Sequence, residues 1–298
     1  MSILIDEKIR VLVQGITGRE ASLFTKYMLD YGTNVVGGVT PGKGGQTIHG
    51  IPVFDCVNDV VKNFIANVSI ISVPPPFAKD AALEAIDANI KLIVIFTERI
   101  PKKDVVLILD FAEQKGTKVI GPNSLGIISP GKSKVGAIGG PQIETKKSYM
   151  IGPVGIASTS GGMTTELANL LTSNGIGQST CISVGGDPIV GMTIRELLPL
   201  FEKDIQTKTV VLFCEPGGTQ EEDAASYILK YSYSKPIIAF IGGRFVDEMP
   251  GMRFGHAGVI VQKGKGTAKG KIEAFKRAGV LVADTLTQLV DYVKESLS

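Results

Sequence analysis

The strongest constraint on this chain is a rhythm. Strand-sized runs of β-branched and apolar residues, apolar on both faces, alternate with helix-sized stretches. The runs lie at 8–15, 33–40, 68–74, 91–97 and 117–122, with helical stretches at 21–32, 77–89 and 103–115 between them. A strand that is apolar on both faces must be covered on both faces, so the pattern predicts a parallel sheet with helices on each side. Residues 126–147, rich in Gly, Pro, Ser and Lys, break the rhythm and read as a linker. It then resumes. Strands are expected at 149–159, 179–186, 207–215, 235–243, 259–261 and 280–283, and helices at 162–174, 193–202, 220–230, 267–278 and 285–297. The expectation is an α/β protein of two domains, 1–125 and 148–298, joined by 126–147.

Composition narrows the function. The formal net charge is +2, there is no Trp, and no segment carries a long run of one sign, so a nucleic-acid partner is not expected. The longest apolar runs, 92–96 and 210–213, are far shorter than a membrane span. Asp6 and Glu7 near the start do not suit a secretory signal. The three cysteines (Cys56, Cys181, Cys214) have no metal-ligand spacing. A soluble, reduced, cytoplasmic protein is expected, with no metal site of its own. The 36 glycines point to many tight loops where backbone can approach a ligand.

In the first half, "VLVQGITGREA" places Gly15, Gly18 and Ala21 between strand and helix. The spacing departs from the dinucleotide fingerprint, yet a backbone turn feeding a helix N-terminus favours a phosphate, and Thr17 adds a hydroxyl. The second strand ends in "GGVTPGKGG" with no acid for a ribose diol. Lys43 suits a phosphate on the ribose instead, which leaves NADP or coenzyme A open. Thr97 and Glu98, in "FTERIP", either point into the same crevice or cap the next helix.

In the second half, "STSGGMTTEL", "GGDP" and "EPGG" each end a strand, and all three loops are expected at one sheet edge with the loop holding His256. Ser160, Gly161 and Gly162 form a helix N-terminus suited to an anion, although Ser160 is also a natural N-cap. Glu215 directly follows an apolar strand. A carboxylate bonded to one imidazole nitrogen makes the other more nucleophilic, and His256, among glycines, is the candidate partner. A histidine with an orienting acid and N–H donors nearby can accept and donate a phosphoryl group. His49 has no such company and reads as structural.

Taken together, "QGITGRE", "GVTPGKGG", "VPPPFAKD", "TERIP", "IGPNSLG", "GGDPIVG", "EPGG" and "GHAG…GKGTA" resemble the α subunit of succinyl-CoA synthetase (succinate–CoA ligase) along essentially the whole chain. The resemblance implies a Rossmann-like CoA-binding domain followed by a flavodoxin-like ligase domain. It implies a transiently phosphorylated His256 supported by Glu215. It carries CoA contacts onto Thr17, Gly18, Arg19, Glu20, Lys43, Phe96, Thr97 and Glu98. It also implies an ATP-grasp β subunit that holds ATP or GTP with Mg²⁺, and this chain has neither a Walker-type lysine loop nor clustered acids for that task.

The chain reads "STSGGMTTE" where the family usually has S-R-S-G-T-L-T-Y-E, and this segment is similar to that of citryl-CoA synthetase and ATP-citrate lyase. Thr165 stands where the family has a Tyr near the acid. The implied substrate is succinate, with citrate or another di- or tricarboxylate as the alternative. Two other classes remain at this stage: an NADP oxidoreductase and a non-catalytic CoA-binding subunit.

Overall fold

The structure, a computed structural model, describes residues 2–248 and 266–298. The expected strand at 259–261 and His256 lie outside the described residues. Within them the chain forms two seven-stranded sheets.

The first half runs β1 (Val11–Gln14), α1 (Arg19–Tyr31), β2 (Val35–Val39), β3 (Thr47–Ile48), β4 (Ile51–Phe54), α2 (Val57–Asn63), β5 (Val68–Ile71), α3 (Ala78–Asp87), β6 (Leu92–Ile95), α4 (Lys102–Lys115) and β7 (Lys118–Ile120). Its sheet has the order β3-β4-β2-β1-β5-β6-β7, parallel except for the β3–β4 pair. Every residue of β1, β5 and β6 is buried, as expected for strands covered on both faces. The chain leaves β1 for β2 on one side and returns to β5 on the other. The carboxyl ends of β1, β2 and β5 therefore open a crevice at the topological switch point.

The second half runs β8 (Gly126–Ser129), β9 (Ser133–Gly136), α5 (Gln142–Ser148), β10 (Ile151–Ser158), α6 (Gly161–Ser173), β11 (Gln178–Ser183), α7 (Ile194–Lys203), β12 (Thr209–Cys214), α8 (Gln220–Tyr231), β13 (Ile237–Ile241), α9 (Ala268–Arg277), β14 (Leu281–Ala283) and α10 (Leu286–Leu297). The sheet order is β14-β13-β12-β10-β11-β8-β9. Its five parallel strands follow the flavodoxin-like sequence, with the switch point between β10 and β12.

The linker expected over 126–147 gives way to structure. Residues 126–136 form the β8–β9 hairpin on the antiparallel edge of the second sheet, and α5 follows. The glycines that made this stretch look like a linker close the hairpin. Gly126 has φ +111°, and a Cβ there would lie 1.9 Å from the Val135 carbonyl oxygen.

The hairpin also joins the two halves. Thr33 donates its hydroxyl to the Lys134 carbonyl (2.7 Å) and accepts from the Lys134 N–H (3.1 Å). One buried apolar cluster contains Phe24 and Met28 from α1 together with Ile127, Val135 and Ile182 from the second sheet. Each such large side chain contributes about 1.5–3 kcal/mol on burial. Lys134 itself is fully buried, with its ammonium donating to the Gly140 carbonyl and to the Thr145 hydroxyl (3.2 Å).

Candidate functional site

The first crevice is a cleft of about 690 Å³ bounded by Gly15, Thr17 and Gly18 after β1, by Thr40 and Pro41 after β2, and by the loop from Ser72 to Phe77 after β5. That volume suits a nucleotide-sized ligand. Its shape depends on Gly15, whose φ is +82° and where a Cβ would stand 2.2 Å from the Ser72 carbonyl oxygen. Only glycine lets the β1 and β5 loops close to this distance.

The structure sorts the residues expected at this site. Thr17 and Gly18 line the cleft, and Gly18 opens α1. Thr97 donates its hydroxyl to the Val73 carbonyl (2.7 Å), so it secures the wall from behind. Phe96 packs against Phe24 with ring centroids 5.3 Å apart. Lys43 is exposed in the turn that leaves Thr40, and its N–H donates to the Thr40 carbonyl (3.0 Å). Arg19, Glu20 and Glu98 are exposed, with Arg19 near Glu20 (3.7 Å) and Glu98 near Arg99 (3.4 Å). His49 meets the Ser22 hydroxyl at 3.0 Å and ties its loop to α1.

Sequence reasoning missed part of this cleft. Gln14, buried in an otherwise apolar strand, lines it and donates to Ser69 Oγ (3.1 Å) and the Ala81 carbonyl (2.9 Å). A lone amide at the end of "VLVQG" was the available signal. Asp80 and Glu84 of α3 also line the cleft, but acids on a helix carry no such signal.

The second cleft, about 200 Å³, opens at the switch point of the second sheet. Thr159 after β10, Gly185 to Pro188 after β11 and Glu215 to Gln220 after β12 line it, so the three strand-end loops meet. Thr159 donates its hydroxyl to Glu215 Oε2 (3.3 Å). Asp187 accepts from the side-chain amide of Asn123 (3.1 Å), which brings the end of the first half to this edge. Ser160 caps α6 by accepting from the Met163 N–H (3.4 Å), so its side chain serves the helix. Gly161 packs closely on Leu125, whereas Gly162 is exposed with open space where a Cβ would stand. Thr165 lies a turn further along α6, its hydroxyl 2.9 Å from that of Tyr149, and does not border this cleft.

Behind the cleft lies a group with no sequence signal at all. Lys271 of α9 is fully buried and forms an ion pair with Glu221, a cleft residue only 2% exposed. Its ammonium also reaches Glu222 (3.1 Å) and the Gly218 carbonyl (3.2 Å). Burial pushes the Lys271 pKa down, but the two carboxylates more than offset this and hold the ammonium above its ordinary value. In "AKGKIEAFKR" this lysine looks like its solvated neighbours.

A model described as "CoA binding domain" matches residues 6–99, and one described as "CoA-ligase" matches residues 157–281. Two α/β domains, each with a cleft at its switch point and each matched over part of its length by one of these models, define a protein of the CoA-ligase class. Its relatives are narrower in kind. The succinate–CoA ligase [ADP-forming] subunit alpha of Aquifex aeolicus is 46% identical over all of this chain and 95% of its own length. Subunit alpha 1 of Archaeoglobus fulgidus is 48% identical over all of this chain and 99% of its own length. The chain belongs to the succinate–CoA ligase alpha-subunit family. Among solved structures, ATP citrate lyase from Methanothrix soehngenii, in complex with citrate and coenzyme A, shares the fold with a TM-score of 0.91 at 23% identity. The match covers 99% of this chain and 50% of that one.

Proposed function

We propose that this chain is the α subunit of an ADP-forming acyl-CoA ligase that joins succinate to coenzyme A through a phosphorylated His256. The observation that carries this reading is the meeting of three strand-end loops around Glu215, in a chain whose other sheet opens a nucleotide-sized cleft.

The reaction divides into three transfers. A β subunit of the ATP-grasp type holds ATP with Mg²⁺, and the γ-phosphoryl group passes to the His256 imidazole, releasing ADP. A carboxylate oxygen of succinate takes the phosphoryl group from the histidine and becomes an acyl phosphate. The coenzyme A sulfur attacks the acyl carbon, the thiol gives up its proton, and inorganic phosphate leaves. Glu215 orients the imidazole, and Thr159 holds Glu215 by its hydroxyl. Thr17, Gly18 and the adjoining helix N-terminus receive phosphate groups of coenzyme A, with Lys43, Arg19, Glu20, Phe96, Thr97 and Glu98 around it. Ser160, Gly161 and Gly162, at the start of α6, are assigned to the acid side, and Thr165, a turn further along the same helix, acts there through the position of α6 rather than by lining the cleft. The three free cysteines agree with a cytoplasmic setting. The two domains are taken as 1–125 and 126–298, the second beginning with the β8–β9 hairpin.

A second reading, an acid bulkier than succinate, is supported by the open space at Gly162. Reconstitution with a β partner and a screen of succinate, citrate, malate and branched acids tests both. Succinate-dependent formation of succinyl-CoA supports the first reading. Turnover with citrate and none with succinate selects the second, and no turnover with any acid refutes the ligase reading.

A further inference from the structure

The first turn of α8 carries Glu221, Glu222 and Asp223, and it borders the second cleft. Acids suit the positive end of a helix, but they repel any anion that enters beside them. Lys271 is placed to offset part of that repulsion. It reaches Glu221 and Glu222 from behind the cleft and is shielded from water, so its charge is not dissipated by solvent. Its contact with the Gly218 carbonyl fixes the loop that follows Glu215, and the Gly217 N–H donates to the Gly266 carbonyl (2.7 Å) beside the start of α9.

We infer that Lys271 is a positioning residue for anion binding in the second cleft. It offsets the charge of the Glu221–Glu222 pair in the first turn of α8 and holds the Gly217–Gly218 loop, so the cleft accepts a phosphate or phosphoryl group more readily than with the carboxylates alone. The inference rests on the phosphoryl-transfer reading above. It differs from a purely structural ion pair in one respect. A structural pair suffers alike when either partner is lost, whereas a counter-charge and the acid it neutralises act on an anion with opposite sign.

The test uses the full chain and inorganic phosphate as the probe, followed by phosphorus NMR titration, with turnover of the reconstituted complex measured alongside. Lys271→Met weakens phosphate binding about tenfold, and Glu221→Gln, which removes a negative charge, tightens it about threefold. The double variant, with the same net charge as the wild type, returns the affinity to within about threefold to fourfold of the wild-type value. Lys271→Arg keeps most of it. In the complex, the KM for phosphate in the ADP-to-ATP direction follows the same order while kcat changes less. If Lys271→Met does not fold, Glu221→Gln and the double variant still decide, since tightening and its reversal are expected of them. Equal weakening by Glu221→Gln and Lys271→Met overturns the inference while leaving the phosphohistidine reading intact. A wild-type chain that binds no phosphate and takes no label from ATP refutes both.

Discussion

Lys134 gives a prediction whose size follows from the structure. Its ammonium is fully buried in β9, its polar contacts are the Gly140 carbonyl and the Thr145 hydroxyl, and the Tyr27 ring lies 5.5 Å away. Neither polar contact is an acid, so nothing in them offsets desolvation, and burial pushes the pKa down from 10.5 to about 7. The unfolded chain keeps this proton up to its ordinary value, whereas the folded chain releases it near pH 7. Between those limits the unfolded state binds more protons, so stability rises with pH. The slope is about 1.4 kcal/mol per pH unit, and the full difference is about 5 kcal/mol. Lys134→Met keeps the stem and removes the titration. Urea unfolding at constant salt from pH 6 to 9 should show the wild type gaining about 3 kcal/mol relative to the variant, most of it above pH 7. A difference between wild type and Lys134→Met that stays constant across this range would show that the buried amine does not titrate there, and the reasoning would fail.

Other substitutions test the two clefts and the helix beside them. Gly15→Ala forces a Cβ to within 2.2 Å of the Ser72 carbonyl, and it should cost about 1–3 kcal/mol of stability and weaken coenzyme A binding by calorimetry. Glu215→Gln should leave coenzyme A affinity unchanged while slowing phosphoryl transfer about a hundredfold in rapid-quench assays. Asp247 accepts from the N–H groups of Ala268 (2.9 Å) and Lys269 (3.0 Å) at the start of α9. Asp247→Ala should therefore cost about 1 kcal/mol in urea unfolding, and Asp247→Asn less.

What could be read in advance divides along physical lines. Strands such as β6 and β12 stood out because their apolar residues run consecutively and so occupy both faces, a pattern that a doubly covered sheet explains. The β8–β9 hairpin and α5 did not, because the glycines that let Gly126 face Val135 also mimic a linker. The two-residue β3 and the seven-residue α2 carry too few periodic positions to register, whereas β4 was legible as a strand following His49. At the site, Glu215 was legible as a carboxylate at the end of an apolar strand, and Thr17 and Gly18 as a strand-to-helix turn. Lys271 was not, because its significance lies in a tertiary contact 50 residues away in sequence. Ser160 reads two ways in the sequence, and its hydroxyl acts as the helix cap.

Transfer of the γ-phosphoryl group of ATP to this chain tests the central proposal most directly. Purified chain with its β partner is mixed with radiolabelled ATP, and the label is followed on the separated subunits. The account predicts acid-labile, alkali-stable label on this chain, discharged by succinate with coenzyme A, and absent from His256→Ala. Equal acid-labile label on His256→Ala would contradict it.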